Sequence, residues 1–131
     1  MSEFVSSKVV VRCASLEASR DFYTRVLGLQ RVEEWEEPQG RGLIVSLGGR
    51  AFLEMYEMTA ADPRYHPRFR EPLPSDKVDL QLETDSLDDW VARFSGRWPF
   101  DGPENLPWGQ RWIKLRDPDG LLIAIYIRTS A

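Results

Sequence analysis

Nine side chains of this 131-residue chain have the types and spacing to hold a small molecule: Lys8, Arg12, Glu54, Tyr56, Lys77, Gln81, Trp108, Trp112 and Tyr126. Lysine and arginine can bind a ligand carboxylate or phosphate, and a glutamate can meet an amine or guanidinium. The aromatic rings can stack on flat or cationic guests. Eight of the nine are expected on one face of a sheet, because side chains alternate along a strand and the apolar alternate is needed to carry helices. The expected helix side comprises Val9, Val11, Cys13, Leu53, Met55, Val78, Leu80, Leu82, Ile123 and Ile125. The opposite face then carries Lys8, Val10, Arg12, Phe52, Glu54, Tyr56, Lys77, Asp79, Gln81, Trp112, Lys114, Leu122, Ala124 and Tyr126, while Trp108 stands in a loop beside Gly109. So many rings are poor company for water, which points to a curved sheet enclosing a pocket, with an oligomer contact as the other reading. Lys8 and Lys77 have two uses open to them: pairing with Glu54 to neutralise charges that are expensive to bury alone, or contacting a ligand.

The elements that must position these residues come in two similar halves. Trp108 to Tyr126 reads as strand, Asp117-Pro118-Asp119-Gly120 turn and return strand. Pro118 pre-sets its φ and Gly120 accepts a positive one. About seventy positions earlier, Leu47 to Tyr56 repeats a strand, a glycine turn and a strand, which suggests a duplicated unit. Lys8 to Ala14 leading to Ser15-Leu16 likewise matches Lys77 to Glu83 leading to Ser86-Leu87. Each half therefore reads as strand, helix, strand, strand, strand: an α+β protein of two tandem βαβββ modules within a single 1–131 domain, module one over 6–58 and module two over 77–128. Residues 59–76, with Pro63, Pro67, Pro72 and Pro74, form the linker, since so many imides suit neither a helix nor a central strand.

The first helix is expected from a Ser15 cap to Gly28, with Ala18, Phe22 and Val26 on its stripe and Tyr23 and Leu27 beside it. The second starts at Ser86, with Asp89 completing a capping box and Leu87, Trp90, Val91 and Phe94 facing inward. Further strands are expected over Leu29 to Glu36, over Leu43 to Leu47 and near Trp98. The acidic run Glu33-Glu34-Trp35-Glu36-Glu37 leaves the register of Trp35 unset. Cys13, the one cysteine, reads as a small core filler, and His66, the one histidine, as a loop residue. A net charge of −4 argues against nucleic acid. The absence of an apolar run near the ~20 residues of a bilayer span, and of a signal peptide, leaves a cytoplasmic location as the expectation.

Ser15 to Leu29, taken together with Pro107-Trp108-Gly109-Gln110-Arg111 and Arg116-Asp117-Pro118-Asp119-Gly120, resembles the vicinal-oxygen-chelate superfamily in its glyoxalase/bleomycin-resistance branch. The resemblance implies paired βαβββ modules curling into a cup-like mixed sheet with helices on the convex side, commonly completed in a homodimer. Metal-dependent members place His, Glu or Gln at the start of a module's first strand and midway along its last. The aligned residues here are Lys8, Glu54, Lys77 and Ala124. A protonated lysine has no lone pair and alanine has no ligand atom, so neither a metal nor another cofactor is expected. Three functions remain in view: a metal-independent protein of the bleomycin-resistance type sequestering an aromatic ligand that can be cationic; a metal-independent lyase or isomerase using Glu54 or a lysine as acid or base; and a regulatory or structural module without a small ligand.

Overall fold

The computed structural model describes residues 2–129. The chain divides into two compact units, one ending at Pro72 and one beginning at Leu73. In unit one, β1 (Ser7–Arg12) is followed by α1 (Leu16–Arg20), a π-type turn (Asp21–Val26), β2 (Arg31–Glu37), β3 (Gly40–Gly48), β4 (Ala51–Met58) and a short 3-10 turn (Pro67–Arg70). Its sheet order is β1-β4-β3-β2, with β1 parallel to β4 and the other pairs antiparallel. Unit two contains β5 (Asp79–Glu83), α2 (Leu87–Phe94), β6 (Asp101–Leu106), β7 (Gln110–Arg116) and β8 (Leu122–Arg128), ordered β5-β8-β7-β6 on the same plan. Each unit is a βαβββ module of the α+β class with its own open, four-stranded mixed sheet.

The Ser15 side chain caps α1 by accepting from the Ala18 amide at 3.2 Å. After Asp21 the helix widens, the Leu27 amide reaching back five residues to the Phe22 carbonyl. Gly28, at φ 74°, then ends it and lets the Leu29 amide close on the Tyr23 carbonyl. The buried seam is Leu16, Ser19, Phe22, Tyr23 and Leu27, with Val26 half-buried and Ala18 exposed. Ala18 is thus off the expected stripe, because Leu16 and Tyr23 have more apolar area to bury and their inward position turns the methyl out. Leu43, Val45, Leu53 and Met55 form the sheet side of this core.

In unit two, Phe94 is fully buried against Trp90 (5.7 Å between ring centres) and Phe100 (6.3 Å). Ile113, Leu115, Ile123 and Ile125 lie beneath α2. Ser86 precedes α2 as expected, yet its side chain makes no capping bond, so the capping box with Asp89 does not form. Thr84 takes over the polar work at this end: its hydroxyl oxygen accepts from the Ser86 amide at 3.2 Å and the Trp90 indole at 3.0 Å. The strand expected near Trp98 begins at Asp101. Gly96 at φ 76° and the imide of Pro99 hold the chain in a turn there, with the Trp98 indole donating to the Arg116 carbonyl at 2.8 Å.

Two residues of the expected helix-side layer are exposed: Val9 at 52% and Val78 at 66%. The helices cover the central strands, α1 over β3 and β4, α2 over β7 and β8. Val9 lies on the edge strand β1, and Val78 precedes β5 altogether. The Asp117–Gly120 hairpin forms as its residues require, with Asp117 Oδ1 accepting the amides of Asp119 (2.9 Å) and Leu121 (2.8 Å) and Gly120 at φ 83°. His66 is exposed and starts the 3-10 turn, its Nδ1 accepting from the Arg68 amide. Cys13 is buried.

Candidate small-molecule site

Strand register assigns the face of each sheet that looks away from its helix. In unit one, Arg12, Tyr56, Gly42 and Trp35 form one cross-strand row, and Val10, Glu54, Ile44 and Glu33 the next. A third row holds Lys8, Phe52 and Ser46. The Lys8 ammonium sits 2.7 Å from Glu54 Oε1. Glu54 is 8% exposed, whereas the Lys8 side chain remains 43% exposed, so a hidden carboxylate is balanced by a solvent-reaching cation.

Trp35 is the residue whose register the sequence left open. A bulge between Arg31 and Glu33 shifts the alternation of β2 and sets Trp35 opposite Gly42. The indole lies flat on that glycine: a Cβ there would stand 2.3 Å from Trp35 Cζ2. The Tyr56 ring similarly covers Gly40, where a Cβ would come within 2.7 Å of Cε1. Trp35 and Tyr56 are 6.4 Å apart at a 31° tilt. Glycines two apart on a strand, next to a tryptophan-bearing strand, are the signal that could have found this platform.

The platform is fixed from below. The Tyr56 hydroxyl lies 3.2 Å from Asp62 Oδ2 and 3.4 Å from the Gln39 carbonyl. Asp62 is itself gripped by the amide, Nε and Nη2 of Arg64. Those Arg64 hydrogen bonds pull the Asp62 carboxyl down to about 2, while burial, reinforced by the bond to Asp62, pushes the Tyr56 phenol above its ordinary value.

Unit two repeats the arrangement with different residues. Glu83, Tyr126, Trp112 and Glu104 form one row, and Gln81, Ala124, Lys114 and Asp101 the next. The Tyr126 hydroxyl lies 3.3 Å from Glu83 Oε1, which Arg128 also holds at 3.2 Å. The Trp112 indole N–H is 3.4 Å from Glu104 Oε2, and the Lys114 ammonium stands 5.6 Å from the Trp112 ring centre. Trp108, 62% exposed, meets Trp112 edge-on at 6.1 Å and donates to Gln110 Oε1 at 3.0 Å. Glu83 and Glu104 on these surfaces, and Asp62 beneath Tyr56, are residues that type and spacing did not single out, whereas for Trp35 only the register was open.

Lys77 does not take the position assigned to it by alignment with Lys8. It is exposed and lies two residues before β5. Lys8 pairs with Phe52, two residues before Glu54, and Asp79 pairs with Leu122, two residues before Ala124; Asp79 is therefore the counterpart of Lys8. Gln81 faces Ala124 and donates to Asp79 Oδ2 at 2.9 Å.

Each unit also has a charged hollow that touches a member of these surfaces, Trp35 in unit one and Glu83 in unit two. On the helix side of unit one, Arg20, Glu34, Trp35, Glu36, Arg41 and Leu16 border one of about 230 Å³. Arg41 bridges Glu57 (2.6 Å) and Glu17 (2.7 Å), which raises the Arg41 pKa; a backbone hydrogen bond at Glu17, and after it the bond from Arg41, lower that of Glu17. In unit two a wide hollow of about 650 Å³ lies along Glu83, Thr84, Asp85, Ile127 and Arg128. No group of three His, Cys, Asp or Glu that could hold a metal occurs among the described residues.

A βαβββ order in both units and open faces lined by rings and carboxylates define a class, and residues 6–125 match the model of the Glyoxalase/Bleomycin resistance protein/Dioxygenase superfamily. The chain belongs to that superfamily. Among solved structures it is similar to TnmS3, an antibiotic binding protein from Streptomyces sp. CB03234, with 27% identity over 98% of each chain and a TM-score of 0.73. A glyoxalase/bleomycin resistance protein from the same strain is 28% identical over 92% of this chain and 97% of its own, TM-score 0.67. A superfamily member from Sphaerobacter thermophilus is 25% identical over 96% and 98%, TM-score 0.74. No curated protein matches the chain.

Metal-dependent members of the superfamily hold an ion at defined register positions, and the side chains at those positions here do not fit one. At the register positions concerned, unit one offers a lysine already paired with Glu54, and unit two offers Asp79, bonded to Gln81, and the Ala124 methyl. An ammonium repels a cation from Glu54, a methyl donates nothing, and the Asp79 carboxylate belongs to no group of three donors among the described residues.

Proposed function

We propose that the protein binds a small aromatic molecule, cationic forms included, and sequesters it without metal and without chemical change. The observation that carries this reading is the repeated surface: each sheet, on the face away from its helix, sets an indole beside a tyrosine with carboxylates at hand, Trp35 and Tyr56 near Glu54, and Trp112 and Tyr126 between Glu83 and Glu104. Rings of this kind stack on flat guests, and carboxylates at their rim favour positive ones. TnmS3, to which this chain is similar, is described as an antibiotic binding protein, which supports a binding role. Arg12 in unit one, and Lys77, Gln81 and Trp108 in unit two, are the further proposed ligand residues. The expected form is a cytoplasmic homodimer; no helix among the described residues is long and apolar enough to cross a membrane.

Tryptophan fluorescence titrated against a panel of aromatic antibiotics tests the reading. Saturable quenching with the ligand recovered intact by mass spectrometry supports it. Turnover of the ligand, or no quenching across the panel, contradicts it. Light scattering tests the dimer, and a monomer at working concentration removes that part.

A further inference from the structure

We infer that Lys8 is a tethered stand-in for the ligand's own cation, so that Glu54 anchors a primary ammonium or guanidinium carried on the ligand's ring system. This rests on the proposed binding function and names the ligand class for unit one. Glu54 sits between Val10 and Ile44 in its row, with Phe52 and Tyr56 two residues to either side on the same face. A carboxylate in such surroundings, 8% exposed, requires a counter-charge. The only ion pair of Glu54 among the described residues is with Lys8, at 2.7 Å. That partner comes from the edge strand β1 on a flexible four-carbon stem, and its side chain is 43% exposed. Swinging it back into water frees Glu54 while the lysine gains hydration, and the cost of unpairing falls on Glu54 until the ligand cation replaces it.

The Trp35–Tyr56 platform lies in the adjoining row. A ligand whose ring stacks there can direct an ammonium one row along the sheet to Glu54, keeping the carboxylate neutralised throughout. Unit two lacks this option, since Ala124 stands at the Glu54 position and Asp79 at that of Lys8. Anchoring at a hidden carboxylate with a displaceable lysine is thus a property of unit one; the corresponding face of unit two carries its carboxylates, Glu83 and Glu104, nearer to solvent.

The test is calorimetric titration of the full chain with three matched probes: 2-(1-naphthyl)ethylamine, 2-(1-naphthyl)ethanol and 1-naphthylacetate. Wild-type protein should prefer the amine. Lys8→Met removes the competitor and should tighten the amine about ten-fold, leaving the alcohol unchanged. Glu54→Gln should weaken the amine about thirty-fold, again sparing the alcohol. Lys8→Arg, which keeps the counter-charge if Lys8→Met proves unstable, should bind the amine less tightly than Lys8→Met and no more tightly than wild type. A Lys8→Met protein that loses acetate affinity with the amine unchanged would make Lys8 an anion receptor and overturn the inference. Equal binding of amine and alcohol by wild type would overturn it while leaving aromatic sequestration standing. Failure of all three probes, in every variant, would sink both.

Discussion

The two modules reach the same surface by different residues. In unit two the indole grows from a central strand: Trp112 on β7 faces Tyr126, and the outer strand supplies Glu104. In unit one the central strand has Gly42 opposite Tyr56, and the outer strand supplies Trp35, whose ring lies in the space a residue-42 side chain would fill. An aromatic lost from one strand is replaced from its neighbour, so the repeat is kept in the shape of the face and not in its letters. The charged row diverges further: Lys8 and Glu54 in one unit correspond to Asp79 and Ala124 in the other. Stacking is common to both modules, and the pairing of a hidden carboxylate with a solvent-reaching lysine belongs to one.

The strongest way to break this comparison is to crowd the indole site of unit one. Gly42→Trp alone forces two indoles into one space and should cost about 2–3 kcal/mol in urea unfolding. Gly42→Trp combined with Trp35→Glu copies the unit-two pattern and should recover most of that loss; a double variant as unstable as the single one would contradict the equivalence. Next in size is ligand affinity. Trp35→Ala and Trp112→Ala should each weaken an aromatic ligand by about 1 kcal/mol or more, as lost stacking does. An unchanged affinity in either variant removes that module's face as a binding surface.

Acid sharpens the contrast between the two tyrosines. Tyr56 rests on buried Asp62, whereas Tyr126 rests on the more exposed Glu83. The Asp62 carboxyl falls from an ordinary 3.8 to about 2 in the fold, so its contribution is complete well above pH 3.8 and is lost as pH drops through that interval toward 2. Asp62→Asn should flatten the acid limb of the stability profile over that window; an unaltered limb would show that Asp62 holds nothing in place. The smallest effect is expected at Trp108. With 62% of its surface in water, Trp108→Ala should change stability by less than about 0.5 kcal/mol. Ligand affinity should still fall, since its ring edges onto Trp112.

The parts of this arrangement that sequence made legible are those governed by local chemistry. Gly28 and the Asp117–Gly120 turn follow from backbone conformations that few other residues accept, and strand alternation placed Glu54, Tyr56, Trp112 and Tyr126 on one kind of face. What escaped depends on how strands pair. The bulge in β2 decides where Trp35 points, and no pattern within Glu33–Glu37 announces it. Lys77 was matched to Lys8 because both lead a run of alternating residues, but a slip of two positions keeps every side chain on its face while moving it along the strand, so alternation alone is blind to it. Val9 and Val78 show the same blindness to edges: a period of two says which face a residue is on and nothing about whether a helix covers it.

The central claim is that organic stacking and an internal ion pair, not a metal, make this face a binding site. Its most direct test is titration of 2-(1-naphthyl)ethylamine into the protein before and after exhaustive chelation, with metal content measured on both samples. Stoichiometric, saturable binding that chelation leaves unchanged is the predicted result. Binding abolished by chelation and restored by one equivalent of a divalent metal would contradict it.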